Sequence, residues 1–246
     1  MINKESETST FSLVIPAYNE EHRLGEIHSH VFDYLRAHFN RYEIIYVDDG
    51  STDGTYTRLL EFQKQKPEVK ILRHETNLGK GKAVRTGLQA STGELVLFSD
   101  ADFSTPIEDV QKLIDCVQSG YDIAIGSRGV PGSNVEVHQS LVRETTGKIG
   151  NAIVQTFLLL PFEDTQCGFK LYRSSVLPKI LPKLTVNGFA FDMEMLLAAT
   201  SAGCRIAEVP VTWRDAKESK VRTVHVFEVF WDVLKMRFRL AMGNYS

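Results

Sequence analysis

A chain of 246 residues with a hydrophobic share of 43% is long enough for one large α/β domain around an ordinary core. Lys and Arg number 28 against 31 acidic residues, net −3, which excludes a nucleic-acid-binding role built on a basic footprint. The three cysteines, Cys116, Cys167 and Cys204, are odd in number and far apart, so neither a disulfide framework nor a zinc site is encoded, and a reducing compartment is expected.

Residues 1–10 are polar and acidic and read as a disordered tail rather than a signal peptide. Residues 11–246 read as a single domain, regular in its strand–helix alternation to residue 128 and less regular beyond it. Phe11-Ser12-Leu13-Val14-Ile15 forms the first expected strand, stopped by Pro16. In Ala17-Tyr18-Asn19-Glu20-Glu21, Asn19 is placed as an N-cap with the glutamates at the positive end of a helix. Leu24, Ile27, Val31 and Leu35 then recur at helical spacing. His22, His28, His30 and His38 surround this helix without metal-ligand spacing and read as surface residues.

Tyr42–Val47 is the second expected strand, running into Asp48-Asp49-Gly50-Ser51-Thr52-Asp53-Gly54. Val69–Leu72 is the third, followed by Asn77-Leu78-Gly79-Lys80-Gly81-Lys82 and a helix through about Gln89. Gly87 lies six residues after Gly81, where a dinucleotide fingerprint requires three. This segment therefore reads as a flexible cationic turn beside a diphosphate or as a solvated turn.

Glu94–Phe98 is a short apolar run expected to be a buried strand, and Ser99-Asp100-Ala101-Asp102-Phe103-Ser104-Thr105-Pro106 follows it. Thr105, Pro106 and Glu108 signal a helix start, so Asp100 and Asp102 sit in a tight connection at a strand's carboxyl end. Ligands of open α/β sheets bind at that edge, and carboxylates there suit a hard divalent cation bridging substrate phosphates. A helix to about Gln118 and a fifth strand, Tyr121–Ile125, lead to Gly126-Ser127-Arg128. Strands alternating with helices imply an α/β fold: a mostly parallel, twisted, Rossmann-like sheet with helices on both faces. Tyr18 to Glu20, Asp48 with Asp49, and Asp100 to Ser104 then converge on one edge, which is the physical argument for an active site.

Gly129–Gln139 is a glycine- and proline-containing loop long enough to move over a site. Leu141–Leu160 looks helical and carries Arg143 and Lys148. Arg128 and Arg143 flank the loop. Converging, they would clamp a phosphate bidentately; the alternative is that each pairs with a nearby acid such as Glu144. Asp164-Thr165-Gln166-Cys167-Gly168-Phe169-Lys170 is a polar string in apolar surroundings, and Phe189–Glu194 opens another helix. Arg205–Val211 reads as an edge strand, since Pro210 cannot donate to a central ladder. From Arg214 to Arg239 there are seven basic and four acidic residues. The last helix, about Val224 to Ala241, is apolar and aromatic apart from a stripe of Glu228, Asp232, Lys235 and Arg239. It is expected to pack on the core or to lie in a membrane interface, where Lys220, Arg222, Lys235, Arg237 and Arg239 suit anionic lipid heads.

Val14-Ile15-Pro16-Ala17-Tyr18-Asn19-Glu20, then Val47 to Gly54, then Asp100-Ala101-Asp102 resemble glycosyltransferase family 2, with the GT-A nucleotide-diphospho-sugar transferase fold. The string Asp164–Lys170, with Phe191-Asp192-Met193-Glu194 and Glu208-Val209-Pro210-Val211-Thr212-Trp213, is most similar to the dolichyl-phosphate (polyprenyl-phosphate) β-glucosyltransferase branch. Eukaryotic members of that branch carry an N-terminal membrane anchor, and the lack of one here points to a prokaryotic relative.

The resemblance implies that Pro16, Tyr18 and Glu20 line a nucleotide pocket and that Asp49 accepts from the base's ring nitrogen. Asp100 and Asp102 would contact ribose or sugar and hold Mg²⁺ or Mn²⁺, with Lys80 or Lys82 assisting the phosphates. Arg128 and Arg143, and more weakly Lys148, match residues that bind an acceptor phosphate; Asp102, Arg128 and Arg143 would be the catalytic set. No third metal ligand is implied, because related synthases carry glutamine where this chain has Ser104. The activity implied is inverting transfer of a sugar, glucose favoured, from a UDP-sugar to a dolichyl or polyprenyl monophosphate. The protein would lie peripherally on the cytoplasmic face of a membrane. An acceptor with a second pKa near ~6 is already a nucleophile at neutral pH, whereas a sugar hydroxyl would need a general base. The alternatives are GDP-mannose as donor, a non-catalytic nucleotide-sugar binding module, and a nucleotidyltransferase. The last lacks its glycine-rich loop with Arg after the first strand.

Overall fold

The computed structural model describes residues 10–136, 157–158, 160–214 and 223–245. Seven strands form the main sheet: β1 (Phe11–Ala17), β2 (Tyr42–Asp48), β3 (Val69–Arg73), β4 (Leu95–Ser99), β5 (Ile123–Ser127), β7 (Phe169–Arg173) and β8 (Ile206–Pro210). Their order is β3-β2-β1-β4-β7-β5-β8. All neighbouring pairs are parallel except those made by β7, which runs antiparallel between β4 and β5. A short parallel pair, β6 (Asn134–Val135) with β9 (Thr212–Trp213), stands apart.

Alternation along the strands assigns the side chains to two layers. Val14, Val96, Phe98 and Tyr172 pack beneath α3 (Lys80–Ala90) and α6 (Phe191–Ser201), with the short α5 (Leu177–Ile180) in the same cluster. Leu13, Ile15, Tyr46 and Leu97 pack beneath α1 (Glu26–His38), α2 (Thr55–Gln65) and α4 (Val110–Gln118). In α4, Val110, Leu113, Ile114 and Val117 are buried, the i, i+3, i+4, i+7 face of an amphipathic helix. The expected doubly covered, mostly parallel sheet is the one observed, and β8 is at its edge.

Several local expectations are corrected. Strand β1 runs through Pro16 to Ala17 rather than stopping at it. Asp49 N–H donates to Ala17 C=O (2.8 Å), so Ala17 faces β2 and Pro16 faces the β4 side. Pairing with β4 has already ended at Val14, so the donor that proline lacks is not needed there. Asn19 is not an N-cap: α1 begins at Glu26, and Asn19 sits in the left-handed region at φ 53°. The polar string before Lys170 leads into β7, a strand not foreseen. It supplies Phe169–Arg173 to the middle of the sheet.

The last helix, α7 (Thr223–Ala241), packs on the core along one face and leaves an aromatic face exposed. Val233 and Met236 are buried against the core, while Phe230, Trp231 and Phe238 are 57%, 61% and 68% exposed. Two residues of the supposed polar stripe turn inward: Arg239 donates to Lys183 C=O (2.9 Å) and to the Tyr245 hydroxyl (3.3 Å), and Asp232 lies beside Gly188. Residues 1–9 of the expected tail, most of the expected helix 141–160, and Lys220 and Arg222 lie outside the described residues.

Candidate active site

Two motif loops meet at the carboxyl ends of β1 and β2. Asn19 Oδ1 accepts from Thr52 N–H (2.9 Å) and Asn19 N–H donates to Ser51 Oγ (3.0 Å). Gly54 N–H donates to Glu21 Oε2 (3.0 Å), and a Cβ on Gly54 would lie 2.3 Å from Glu21 Oε1, so a larger residue would push that carboxylate aside. Glu20 is held by Arg23 at 3.1 Å, and its N–H donates to Thr55 Oγ1. Pro16 and Tyr18 lie at the same edge, Tyr18 with 38% of its surface exposed.

Asp49 is 2% exposed. Its Oδ1 accepts from Leu78 N–H (3.0 Å) and His74 Nδ1 (2.6 Å), and its Oδ2 accepts from Gly79 N–H (2.8 Å). Three of the roughly four lone-pair sites of a carboxylate are used, so one remains on Oδ2 for a ligand N–H. These bonds also correct the reading of residues 77–82 as a flexible turn. Asp49 holds one side, and Asn187 C=O accepts from Gly81 N–H (2.7 Å) and Lys82 N–H (3.3 Å) on the other.

The connection after β4 is braced from below. Asp102 Oδ1 accepts from Ser104 N–H (3.0 Å), and Phe103 takes a left-handed φ of 45°. His28, read from sequence as a surface residue, is fully buried. Its Nε2 lies 3.0 Å from Ala101 C=O and its Nδ1 2.7 Å from the Tyr46 hydroxyl. A carbonyl only accepts, so Nε2 carries the proton and Nδ1 accepts from Tyr46. Burial lowers the His28 pKa to about 4 against a hydrogen bond to Ala101 that raises it. With the folded value below the ordinary 6.5, the contribution of neutral His28 is complete above pH 6.5 and is lost as pH falls toward 4. About 3 kcal/mol of stability is expected to go in that window. Urea unfolding at pH 7 and pH 4.5 should show a steeper loss in the wild type than in His28→Gln; equal slopes would rule this out.

Side-chain parity then decides what surrounds Asp100. Asp100 shares the face of Val96 and Phe98, which lies beneath α3 and α6. Lys80, the first residue of α3, places Nζ 2.6 Å from Asp100 Oδ1. Opposite Phe98 in the antiparallel register stands Lys170 of β7, 0% exposed. Lys170 Nζ is 2.5 Å from Asp192 Oδ1, in the first turn of α6, and 2.6 Å from Cys167 C=O. Asp100 N–H donates to Gly168 C=O (3.0 Å), and a Cβ on Gly168 would lie 2.1 Å from Asp100 Oδ2. The glycine is therefore the space in which the Asp100 carboxylate sits. Burial alone would lower the Lys80 ammonium, but Asp100 and Asp192 outweigh it and hold it above its usual value. Burial pushes Asp192 up, opposed by Lys170 and Lys80.

At the end of β5, the guanidinium of Arg128 is forked on Asp164, with Nε 2.6 Å and Nη2 2.9 Å from its two oxygens. Burial works against both charges, yet each partner holds the other ionised. Arg128 is thus paired with an acid, as the alternative reading had it, though with Asp164 rather than Glu144. Arg143 and Lys148 lie outside the described residues, so the arginine clamp is not seen.

Asp100 and Asp102 fit a hard divalent cation whose remaining ligands come from phosphate and water. Among the described residues no group of three His, Cys, Asp or Glu could hold a metal by itself. Gly168 leaves the Asp100 carboxylate the room it needs. Sequence reading missed His28, Lys170 and Asp192 as parts of this site. The signals were the polar string ending at Lys170 and the Phe191-Asp192-Met193-Glu194 motif, and their meaning depended on β7 being recognised.

Residues 12–181 match the model of Glycosyl transferase family 2. The dolichyl-phosphate beta-glucosyltransferase of Saccharomyces cerevisiae is 32% identical over 262 residues, spanning 99% of this chain and 78% of that protein. The human dolichyl-phosphate beta-glucosyltransferase is 33% identical over 245 residues, spanning 94% of this chain and 74% of that one. Among solved structures, mannosyl-3-phosphoglycerate synthase from Rubrobacter xylanophilus superimposes with a TM-score of 0.73 at 19% identity, covering 98% of this chain and 77% of that one. Glucosyl-3-phosphoglycerate synthase from Mycobacterium tuberculosis, solved in complex with Mn²⁺, UDP and glucosyl-3-phosphoglycerate, gives a TM-score of 0.65 at 20% identity, covering 93% and 78%. At such identities the two structures share the fold with this chain.

Proposed function

Because the chain belongs to glycosyl transferase family 2, alongside the dolichyl-phosphate β-glucosyltransferases, we propose that it transfers glucose from UDP-glucose to a dolichyl or other polyprenyl monophosphate, inverting the anomeric carbon. The observation that carries this reading is the edge of β4, where Asp100 and Asp102 stand beside Lys80 within the GT-A fold. The relatives are named for glucosyl rather than mannosyl transfer, which supports glucose over the GDP-mannose alternative.

Pro16, Tyr18 and Glu20 line the nucleotide side, where Asp49 Oδ2 has capacity for one base N–H. Lys80 and Lys82 offer cationic charge to the diphosphate. A divalent cation, Mg²⁺ or Mn²⁺, held by Asp100 and Asp102 would supply Lewis-acid charge for the departing nucleoside diphosphate. A structure of the same fold contains Mn²⁺ with UDP, which supports a divalent ion without choosing between the two. Asp192, the other carboxylate of the cluster, is buried, and its Oδ1 is paired with Lys170. That suits an acceptor already ionised at neutral pH, as a phosphate monoester is. Arg128 is assigned to the acceptor phosphate together with Arg143 and Lys148, on the strength of the family resemblance. Asp164 shares the Arg128 fork, so Arg128 would act as part of a pair.

The test is turnover of labelled UDP-glucose with dolichyl phosphate in Mn²⁺ or Mg²⁺, with GDP-mannose run in parallel. A lipid-linked glucose product is expected, and UDP should compete better than GDP. Stronger competition by GDP would point to mannosyl transfer, and donor binding without turnover would point to a binding module.

A lipid acceptor calls for a route to the membrane. Among the described residues no helix is long and apolar enough to cross one. On α7, Phe230, Trp231 and Phe238 share an exposed arc with Lys235, opposite the buried Val233 and Met236. We assign this arc to the membrane surface, with the protein peripheral on the cytoplasmic face. Flotation with anionic vesicles should succeed at low salt and weaken at high salt, since the basic component is screened over ~10 Å at 0.1 M. No flotation at either salt would remove the assignment.

A further inference from the structure

We infer that Lys80 competes with the divalent cation for Asp100 and so couples metal binding to nucleotide binding. The cation enters with a nucleoside diphosphate, whose phosphates take over Lys80. The inference rests on the function proposed above and adds to it a rule for how the site fills.

Lys80 occupies a built seat. Its backbone cannot wander: Gly79 before it has a φ of 99° and would place a Cβ 2.4 Å from Asn187 C=O. Gly81 after it is equally confined, a Cβ there lying 2.5 Å from that of Phe191. The ammonium lies 5.7 Å from the Phe98 ring and 5.8 Å from the Phe191 ring, a cationic position favoured by both π faces. From this seat it reaches Asp100 Oδ1, the same carboxylate that faces the metal position. Released from Asp100, it stays at the site, held by the rings and by the charge of Asp192.

The charges decide the order of filling. Lys80 and Lys170 stand against Asp100, Asp102 and Asp192, a sum of −1. A dication alone makes the sum +1 and sets a metal and an ammonium on one carboxylate with little water between them. A nucleoside diphosphate carries enough negative charge to return the sum below zero, and it gives Lys80 oxygens to bind in exchange for Asp100. Metal alone is therefore disfavoured, and metal with diphosphate is favoured.

Manganese binding measured by the paramagnetic resonance signal of free Mn²⁺ tests this without any turnover. Wild type should bind Mn²⁺ alone at least about tenfold more weakly than Mn²⁺ in the presence of saturating UDP, a difference of about 1.4 kcal/mol. Lys80→Met should tighten binding of Mn²⁺ alone by about tenfold and weaken binding of UDP measured in Mn²⁺. Lys80→Arg, which keeps the charge, should leave Mn²⁺-alone affinity near wild type. Unchanged or weaker Mn²⁺-alone binding in a folded Lys80→Met would overturn the inference, as would equal tightening in Lys80→Arg. Equal Mn²⁺ affinity with and without UDP in the wild type would overturn it with no variant needed. Failure of the wild type to bind Mn²⁺ and UDP under any condition would instead remove the nucleotide-sugar reading of the site.

Discussion

Asp102→Asn is expected to lower kcat by about 10²–10³-fold, the usual cost of removing one charge-stabilising group from a preorganised site, while leaving the fold intact. The structural part of Asp102 is the bond its Oδ1 accepts from Ser104 N–H at 3.0 Å, and an asparagine oxygen can accept it equally. What asparagine cannot supply is the second negative charge beside Asp100, which a hard cation requires. Thermal unfolding should thus shift by no more than about 2 °C, while metal-dependent turnover falls. Activity within a few-fold of wild type in a folded Asp102→Asn protein would mean that Asp102 is only a turn residue.

Lys170→Met should cost about 3–5 kcal/mol of stability, because it leaves Asp192 buried without its partner. Lys170 is 0% exposed and Asp192 3%, so water cannot replace the lost contact at either end. A fall in Tm of about 10 °C is the corresponding signal for a chain of this size. The double variant Lys170→Met/Asp192→Leu should recover much of the loss, since an apolar pair of similar volume avoids desolvating two charges. A single variant as stable as wild type would show that Asp192 can be protonated or relaxed at little cost. A double variant that is no better than the single would locate the effect in the Cys167 C=O that Lys170 also holds. In either case the Asp100 connection should loosen, because Cys167 and Gly168 support it.

The roles of Asp102 and Lys170 arise in different ways. Asp102 was legible in the sequence, because a strand's apolar run, a pair of carboxylates and a helix-start signal are local features read within ten residues. Asp48, Asp49 and the Tyr18–Glu20 cluster were legible in the same way, and so was the alternation that makes a doubly covered parallel sheet. Lys170, Asp192 and His28 were not. Their roles arise from pairings between residues far apart in the chain: Lys170 opposite Phe98 across an antiparallel strand inserted into a parallel sheet, Asp192 above it from α6, and His28 beneath Ala101 from the other layer.

A one-residue change of parity would send Asp100 to the opposite face, toward α1 and α4, and no local pattern specifies which helix covers which face. Likewise, Arg128 looked free for a phosphate because its partner Asp164 lies 36 residues away. The sequence by itself determined the kind of sheet, the edge where chemistry gathers and the two acidic residues that face it. Only the tertiary structure decided which lysine meets Asp100, which buried histidine carries its connection, and which charges are already paired, because those depend on strand order and side-chain parity, which non-local packing selects.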